Sequence, residues 1–309
     1  MENGKKKLFL ASERGFCSGV KNALALVEKV LASEGKTGKI CVLHEIVHND
    51  SIVRSLREKG IVFVEEPEEA RGASCLIFSA HGVSLDVERR SGKICGRIVD
   101  ATCPIVKKLH RTAEDFQRRG LAILLLGKRG HRETEGIAGR VSSPVTILQN
   151  VPEVEAFLAA LPEKEKRERF FGCLSQTTMS ADEVAKMKEL LRKNLSRLEI
   201  PADVCYATKR RQNAVKALAE KCDMVFVAGS EKSSNSRRLA EIVRECGKKS
   251  LLVPDPETFV LPELASCSAV GISSGASAPE EHVRVLVEKI LKSGEFELED
   301  PWGGSHASS

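Results

Sequence analysis

Cys17, Cys103 and Cys205 are the residues of this 309-residue chain best placed to do chemistry, because each opens the same kind of segment. The three stretches read GFCSGVKNALALVEKVLASEG, DATCPIVKKLHRTAEDFQRRG and DVCYATKRRQNAVKALAEKCD. In each, a thiol stands at the head of an amphipathic helical pattern. The positive end of a helix favours a thiolate. Three such thiolates gathered at one centre would suit a metal with a position left open for a ligand. That points to catalysis more than to structural bracing.

The other seven cysteines read differently. Cys41, Cys75, Cys173 and Cys267 lie in short apolar, strand-like runs, and Cys222 and Cys246 fall near helix ends. Packed thiols of this kind behave as small hydrophobes. Cys95 precedes Cys103 by eight residues and competes for a fourth ligand place. No CxxC pair occurs, which argues against a zinc ribbon and a thioredoxin-type motif.

The elements that must position these thiols follow from periodicity. After Cys17, Val20, Ala23, Leu24, Val27, Val30 and Leu31 keep helical spacing as far as Gly35, which suits a helix end. After Cys103, Pro104 suits a first helical position, Ile105, Val106, Leu109, Ala113 and Phe116 form the stripe, and Gly120 ends it. After Cys205 the stripe is Val215, Leu218, Ala219 and Cys222. The apolar runs ICVLHE, LAILLLG and MVFVAG follow the three helices as strands. Strands alternating with helices imply an α/β fold of mainly parallel sheets. The period places domains near 14–101, 102–200 and 201–300, with an N-terminal strand within 1–13 completing the third sheet. PEKEKRER (162–169) reads as a solvated connection, and the tail 301–309, with His306, as disordered.

Polar clusters gather where these strands end. The first strand of each repeat runs into HEIVHND, GKRGHRETEG or GSEKSSNS, and a later strand into SAHGVS, SQTTMS or SSGASAP. The offsets agree. From each cysteine to His48, His131 and Ser234 the distance is 31, 28 and 29 residues; to His81, Thr177 and Ser277 it is 64, 74 and 72. Recurrence at matched offsets is the mark of a repeat, and ligands of open α/β sheets bind beyond the carboxyl ends of strands. His48, His81 and His131 with Ser233, Ser234, Asn235 and Ser277 therefore read as an anion cradle. Imidazole, hydroxyl and amide donors suit a phosphate or diphosphate. Thr177 and Thr178 could support a hydroxyl or water relay. Glu133, two residues after His131, could shuttle protons, with Glu135 as its neighbouring alternative. No Walker or GxGxxG motif indicates a nucleotide.

Composition narrows the class. Apolar residues make up 42% and charged residues 29%, ordinary for a soluble globular chain. One Trp and one Tyr leave little for base stacking, and a formal charge of +5 spread among acidic residues is mild for a duplex binder. LAILLLG is too short to span a bilayer, and MENGKKKLFLAS lacks the apolar run of a signal peptide. The expectation is a cytoplasmic chain with neither a membrane nor a nucleic-acid partner. Ten cysteines there are not a disulfide framework.

GFCSGV, HEIVHND, SAHGVS, DATCPIVKKLH, GHRETEG, SQTTMS, VCYATKRRQ, SEKSSNSRRL and GASAPEEH resemble, nearly end to end from residue 8 to 285, the 4-hydroxy-3-methylbut-2-enyl diphosphate reductase family. The resemblance implies three pseudo-threefold-related α/β domains around a central iron–sulfur cluster. It implies one 4Fe–4S cluster on Cys17, Cys103 and Cys205, with an open apical iron. By the same resemblance His48, His81, His131, Thr177, Thr178, Ser233, Ser234, Asn235 and Ser277 bind the diphosphate substrate. Glu133 delivers protons, with Thr177 and His131 arranging the relay. The implied reaction is reductive dehydroxylation to isopentenyl and dimethylallyl diphosphate, with electrons from ferredoxin or flavodoxin. Members often carry proline where this chain has Arg132, which could change loop stiffness or add a cation near the diphosphate. Two other readings stand beside it: a three-thiolate zinc hydrolase, and a non-enzymatic iron–sulfur sensor that binds a diphosphate.

Overall fold

The computed structural model describes residues 5–34, 38–201 and 205–299. Gly35, the tail 301–309 and His306 lie outside the described residues. In chain order the elements begin with β1 (Lys6–Leu10), α1 (Ser18–Glu34), β2 (Ile40–Leu43), α2 (Asp50–Glu58), β3 (Val62–Val64), β4 (Cys75–Phe78), α3 (Leu85–Ile94) and β5 (Ile98–Asp100). The next stretch holds α4 (Pro104–Arg118), β6 (Ala122–Leu126), α5 (Arg132–Ala138), β7 (Val145–Leu148), α6 (Val151–Ala160), α7 (Glu163–Glu168), β8 (Phe171–Ser175), α8 (Ala181–Asn194) and β9 (Leu198–Glu199). The last holds α9 (Tyr206–Lys221), β10 (Met224–Ala228), α10 (Ser234–Glu245), β11 (Lys249–Val253), β12 (Ala269–Ser274), α11 (Glu280–Leu291) and β13 (Phe296–Leu298). No helix among the described residues is long and apolar enough to cross a membrane.

These elements form an α/β fold with three parallel sheets. Their orders are β3-β2-β4-β5, β7-β6-β8-β9 and β11-β10-β12-β1-β13. One topology is thus written three times. In the third sheet the fourth place is taken by β1, whose Lys7–Leu10 lie in register with Ala269–Ile272 of β12. By contacts the chain divides into two compact units. One holds the described residues of Met1–Cys17, His48–Ser51 and Tyr206–Ser309; the other holds Ser18–Val47 and Ile52–Cys205.

The continuous apolar runs follow from burial on both faces, as parallel sheets require. In β6, Ile123 and Leu125 pack with Leu109, Ala113 and Phe116 of α4 and Ile137 of α5. The alternate residues Leu124 and Leu126 pack with Val154 and Leu158 of α6 and with Met187 and Leu191 of α8. In β10, Phe226 faces Val283 and Leu286 of α11, while Val225 and Val227 face Val215 of α9 and Leu239 of α10. Truncating one such fully buried aromatic, Phe116 or Phe226, to alanine costs about 3–5 kcal/mol. PEKEKRER is not a mere connection. Residues Glu163–Glu168 form α7, a helix with no buried residue, whose ion pairs Lys166–Glu163 (2.6 Å) and Arg169–Glu165 (2.8 Å) lie at helical spacing.

In every sheet the chain runs outward from its second strand in spatial order, then crosses to the third. That reversal leaves a crevice at the carboxyl ends of β2 and β4, of β6 and β8, and of β10 and β12. The six polar clusters follow these six strand ends.

Candidate active site

In the unit holding the first two sheets, the chemistry concentrates beyond β4, β6 and β8. GHRETEG, which reads as a loop, is the start of a helix. His131 is the N-cap of α5, and its Nδ1 accepts from the Glu133 backbone N–H at 3.2 Å. An Nδ1 that accepts places the proton of a neutral ring on Nε2, so His131 presents Nε2–H as a donor. Its ring stands 6.2 Å from that of His81, nearly perpendicular at 81°. The Nδ1 of His81 lies 3.3 Å from Ser79 Oγ.

Glu133 is 2% exposed, and burial pushes its carboxyl up from an ordinary 4.5 to about 7. Both oxygens meet Thr177: Oε1 accepts from its backbone N–H and Oε2 from its Oγ1–H, each at 2.7 Å. These bonds favour the charged form, and desolvation outweighs them. An amide N–H can only donate, so the mobile proton of this pair belongs to the edge between Oε2 and Thr177 Oγ1. A carboxyl that titrates near neutrality and is joined to a hydroxyl can hold a proton and pass it on. Thr178 Oγ1 accepts from Gln176 Nε2 at 2.8 Å, which leaves its own O–H to be donated elsewhere. Glu135, the alternative to Glu133, is exposed and faces Arg132.

In the other unit, Ser233 caps α10 by accepting from Ser236 N at 3.3 Å, and Ser234 and Asn235 begin that helix. Asn235 is only 5% exposed, and neither its Nδ2 nor its Oδ1 has a hydrogen-bond partner among the described residues. A buried amide left unpaired on both sides costs free energy that a polar ligand would recover. Ser277 Oγ donates to the His48 carbonyl at 3.1 Å, and Asn49 Nδ2 donates to the Ser277 carbonyl at 2.7 Å. The loop of His48 is thereby fastened to the loop after β12.

The thiols divide cleanly. Cys17, Cys103 and Cys205 are half-buried and immediately precede α1, α4 and α9, whereas six of the remaining seven are buried and Cys246 is exposed. The Cys17 N–H donates to the Ala276 carbonyl at 3.1 Å, and the Cys103 N–H to the Ala80 carbonyl at 3.0 Å, each beside a polar cluster. The Cys103 thiol makes no capping bond to its own helix. Cys95, the competing fourth ligand, is a structural thiol: it is 3% exposed and donates to the carbonyls of Ala73 and Arg97. Burial raises Cys75 to about 11 and Cys222 to about 12, so both stay protonated. No group of three or more His, Cys, Asp or Glu able to hold a metal ion is assembled among the described residues. Cys17, Cys103 and Cys205 each stand at the positive end of a helix, which favours the thiolate that an iron–sulfur ligand needs.

The family model for LytB protein matches residues 8–291. The chain belongs to the LytB family. It is 38% identical to a 4-hydroxy-3-methylbut-2-enyl diphosphate reductase of Desulfotalea psychrophila, over 98% of this chain and 95% of that one. It is 39% identical to the enzyme of the same name from Haemophilus influenzae, over 96% and 94%. The solved E-1-hydroxy-2-methyl-but-2-enyl-4-diphosphate reductase of Plasmodium falciparum superposes with a TM-score of 0.88 at 28% identity, covering 98% of this chain and 94% of that one.

In this LytB chain Arg132 adds no loose cation. It is the first residue of α5, donates to Glu65 Oε2 at 2.9 Å and faces Glu135 at 3.8 Å. The basic residue Arg129 is likewise engaged by Glu153, at 2.9 and 2.8 Å. Two residues that sequence reasoning passed over brace segments that carry predicted site residues. Gln176, 3% exposed, accepts from Lys128 N at 2.8 Å and from Thr134 Oγ1 at 3.3 Å while donating to Thr178. Arg211, 2% exposed, donates to the Gly15 and Arg14 carbonyls just before Cys17. The signal for Arg211 was present: it stands four residues before Val215 on the apolar stripe of α9, where a charge demands a partner.

Proposed function

We propose that this LytB chain reduces 4-hydroxy-3-methylbut-2-enyl diphosphate to isopentenyl diphosphate and dimethylallyl diphosphate, the last step of the non-mevalonate isoprenoid pathway. The observation that carries the reading is the buried Glu133–Thr177 pair, a neutral-range acid wired to a hydroxyl beside His131. The reaction breaks the allylic C–O bond and takes up two electrons and two protons. The oxygen leaves as water. A proton at C2 gives isopentenyl diphosphate, and one at C4 gives dimethylallyl diphosphate.

Cys17, Cys103 and Cys205 would hold one 4Fe–4S cluster with an open apical iron. When bound, the cluster supplies electrons singly and Lewis acidity from that iron. Ferredoxin or flavodoxin would deliver those electrons. His48, His81, His131, Thr177, Thr178, Ser233, Ser234, Asn235 and Ser277 bind and orient the diphosphate substrate. His131 contributes Nε2–H, and Asn235 contributes an amide that has no partner among the described residues. Holding the diphosphate fixes the hydroxyl end of the substrate and removes orientational freedom before reaction. Glu133 holds the proton at Oε2 and hands it through Thr177 Oγ1, so that hydroxide never has to leave as an anion. A non-enzymatic sensor needs no such proton donor.

The test is anaerobic incubation of the iron-loaded protein with the allylic diphosphate and a low-potential reductant, with products read by mass spectrometry. Both diphosphates should form together. A fully loaded protein that leaves the substrate intact would contradict the reading.

A further inference from the structure

His110 is a titratable side chain that the proposed reaction does not use, and it lies at a junction of three site-bearing segments. It stands on α4, seven residues after Cys103 and thus two helical turns along the same face. It is only 7% exposed. The Cε1–Nε2 edge of its ring lies against Gly82, in the loop that carries His81, and against Gly136, in the helix that carries Glu133. A Cβ added to Gly82 would fall 2.6 Å from His110 Cε1 and 3.1 Å from Nε2. One added to Gly136 would fall 3.4 Å from Nε2 and 3.5 Å from the Gly82 carbonyl oxygen. Gly82 also has φ +77°, a conformation that side chains resist. The two glycines therefore let the loop and the helix close over one imidazole edge. The contact is one of shape, because Nε2 has no hydrogen-bond partner among the described residues. Burial, with Arg140 nearby, pushes His110 down to about 4, so the wedge is uncharged at neutral pH.

We infer that His110 is a positioning residue for the diphosphate cradle, its imidazole edge setting the separation of the His81 loop from the helix capped by His131. The 6.2 Å, near-perpendicular pairing of those two rings is the quantity it fixes. Two backbone bonds hold the surrounding frame: Cys103 N to the Ala80 carbonyl and Leu85 N to the Gly139 carbonyl, both 3.0 Å. The inference rests on the reading of His81 and His131 as diphosphate ligands.

His110 also borders a cavity of about 460 Å³ that Phe78, Thr102, Lys107 and Arg140 help to line. Removal of its ring would extend this cavity to the two glycines and open a path for free imidazole. The experiment measures binding of inorganic pyrophosphate by calorimetry to the iron-loaded wild-type protein and to His110→Ala. The variant should bind at least about tenfold more weakly, as expected for loss of one hydrogen bond to a charged ligand. Millimolar imidazole should restore most of that loss while leaving wild-type binding unchanged. Long-range proton–nitrogen spectra should show the His81 and His131 ring nitrogens shifting in the variant and returning with imidazole. Should His110→Ala fail to fold, His110→Asn shortens the wedge but keeps a planar polar group and is put through the same comparison. Unchanged affinity, or a loss that imidazole does not restore, would overturn the inference and leave the cradle reading intact. A wild-type protein that does not bind pyrophosphate would overturn the cradle reading and this inference with it.

Discussion

Replacing Glu133 by glutamine keeps the side-chain shape and removes its titration, and the geometry assigns that change two separable consequences. An unfolded glutamate titrates near 4.5, while buried Glu133 titrates near 7. Between those values the folded chain retains a proton that the unfolded chain has released, so this group makes stability fall as pH rises. Below 4.5 both states are protonated and the group contributes no penalty. Above 7 the penalty is complete, about 3 kcal/mol at about 1.4 kcal/mol per pH unit. Glu133→Gln escapes it, because Oε1 still accepts from Thr177 N–H and the new Nε2–H can donate to Thr177 Oγ1. The stability of the variant relative to wild type should therefore rise by about 3 kcal/mol between pH 4.5 and pH 8, read from paired urea titrations. Turnover should move the other way. Loss of a general acid lowers kcat by about 10²–10⁴-fold. The wild-type rate should decline as pH passes about 7, and the residual rate of the variant should lack that limb. Parallel stability curves for the two proteins, or the same alkaline limb in both rates, would refute the reasoning.

Three further outcomes follow from named contacts. Asn235→Leu replaces a buried, doubly unpaired amide by an apolar group of similar size; it should stabilise the ligand-free protein by about 1–3 kcal/mol in denaturation and weaken pyrophosphate binding in calorimetry. Arg132→Pro removes an exposed ion pair at the first position of α5, where proline is at home; stability should change by no more than about 1 kcal/mol and kcat should be unaltered in the standard assay. Cys95→Ser, altering a thiol bonded to two backbone carbonyls, should keep full iron content after reconstitution, whereas Cys103→Ser should lose it, as read by chemical iron analysis.

Much of this molecule was legible because its sequence repeats. The apolar runs of β6 and β10 could only be strands buried on both faces, and the stripes after Cys17, Cys103 and Cys205 could only be helices packed beside them. The thiols and the polar clusters at strand ends were visible as residue types at matched offsets. What stayed hidden depends on contacts between distant segments. Gln176 looks like one more polar loop residue until its amide is seen to join Lys128, Thr134 and Thr178. His110 sits on the stripe of α4 between Leu109 and Ala113, and nothing local shows that two glycines from elsewhere close on its ring. That Asn235 is buried without partners is likewise a property of its surroundings. PEKEKRER misled because charge alone suggests a loop, while its i,i+3 and i,i+4 pairs sustain a short helix.

The proposed reductase requires that three of its ten thiols hold a redox-active cluster. Anaerobic purification followed by iron and sulfide counts and an absorption spectrum tests it most directly. The protein should carry about four irons and four sulfides per chain, with a broad band near ~400 nm that is lost in Cys103→Ser. A colourless protein carrying stoichiometric zinc, and still iron-free after anaerobic reconstitution, would contradict it.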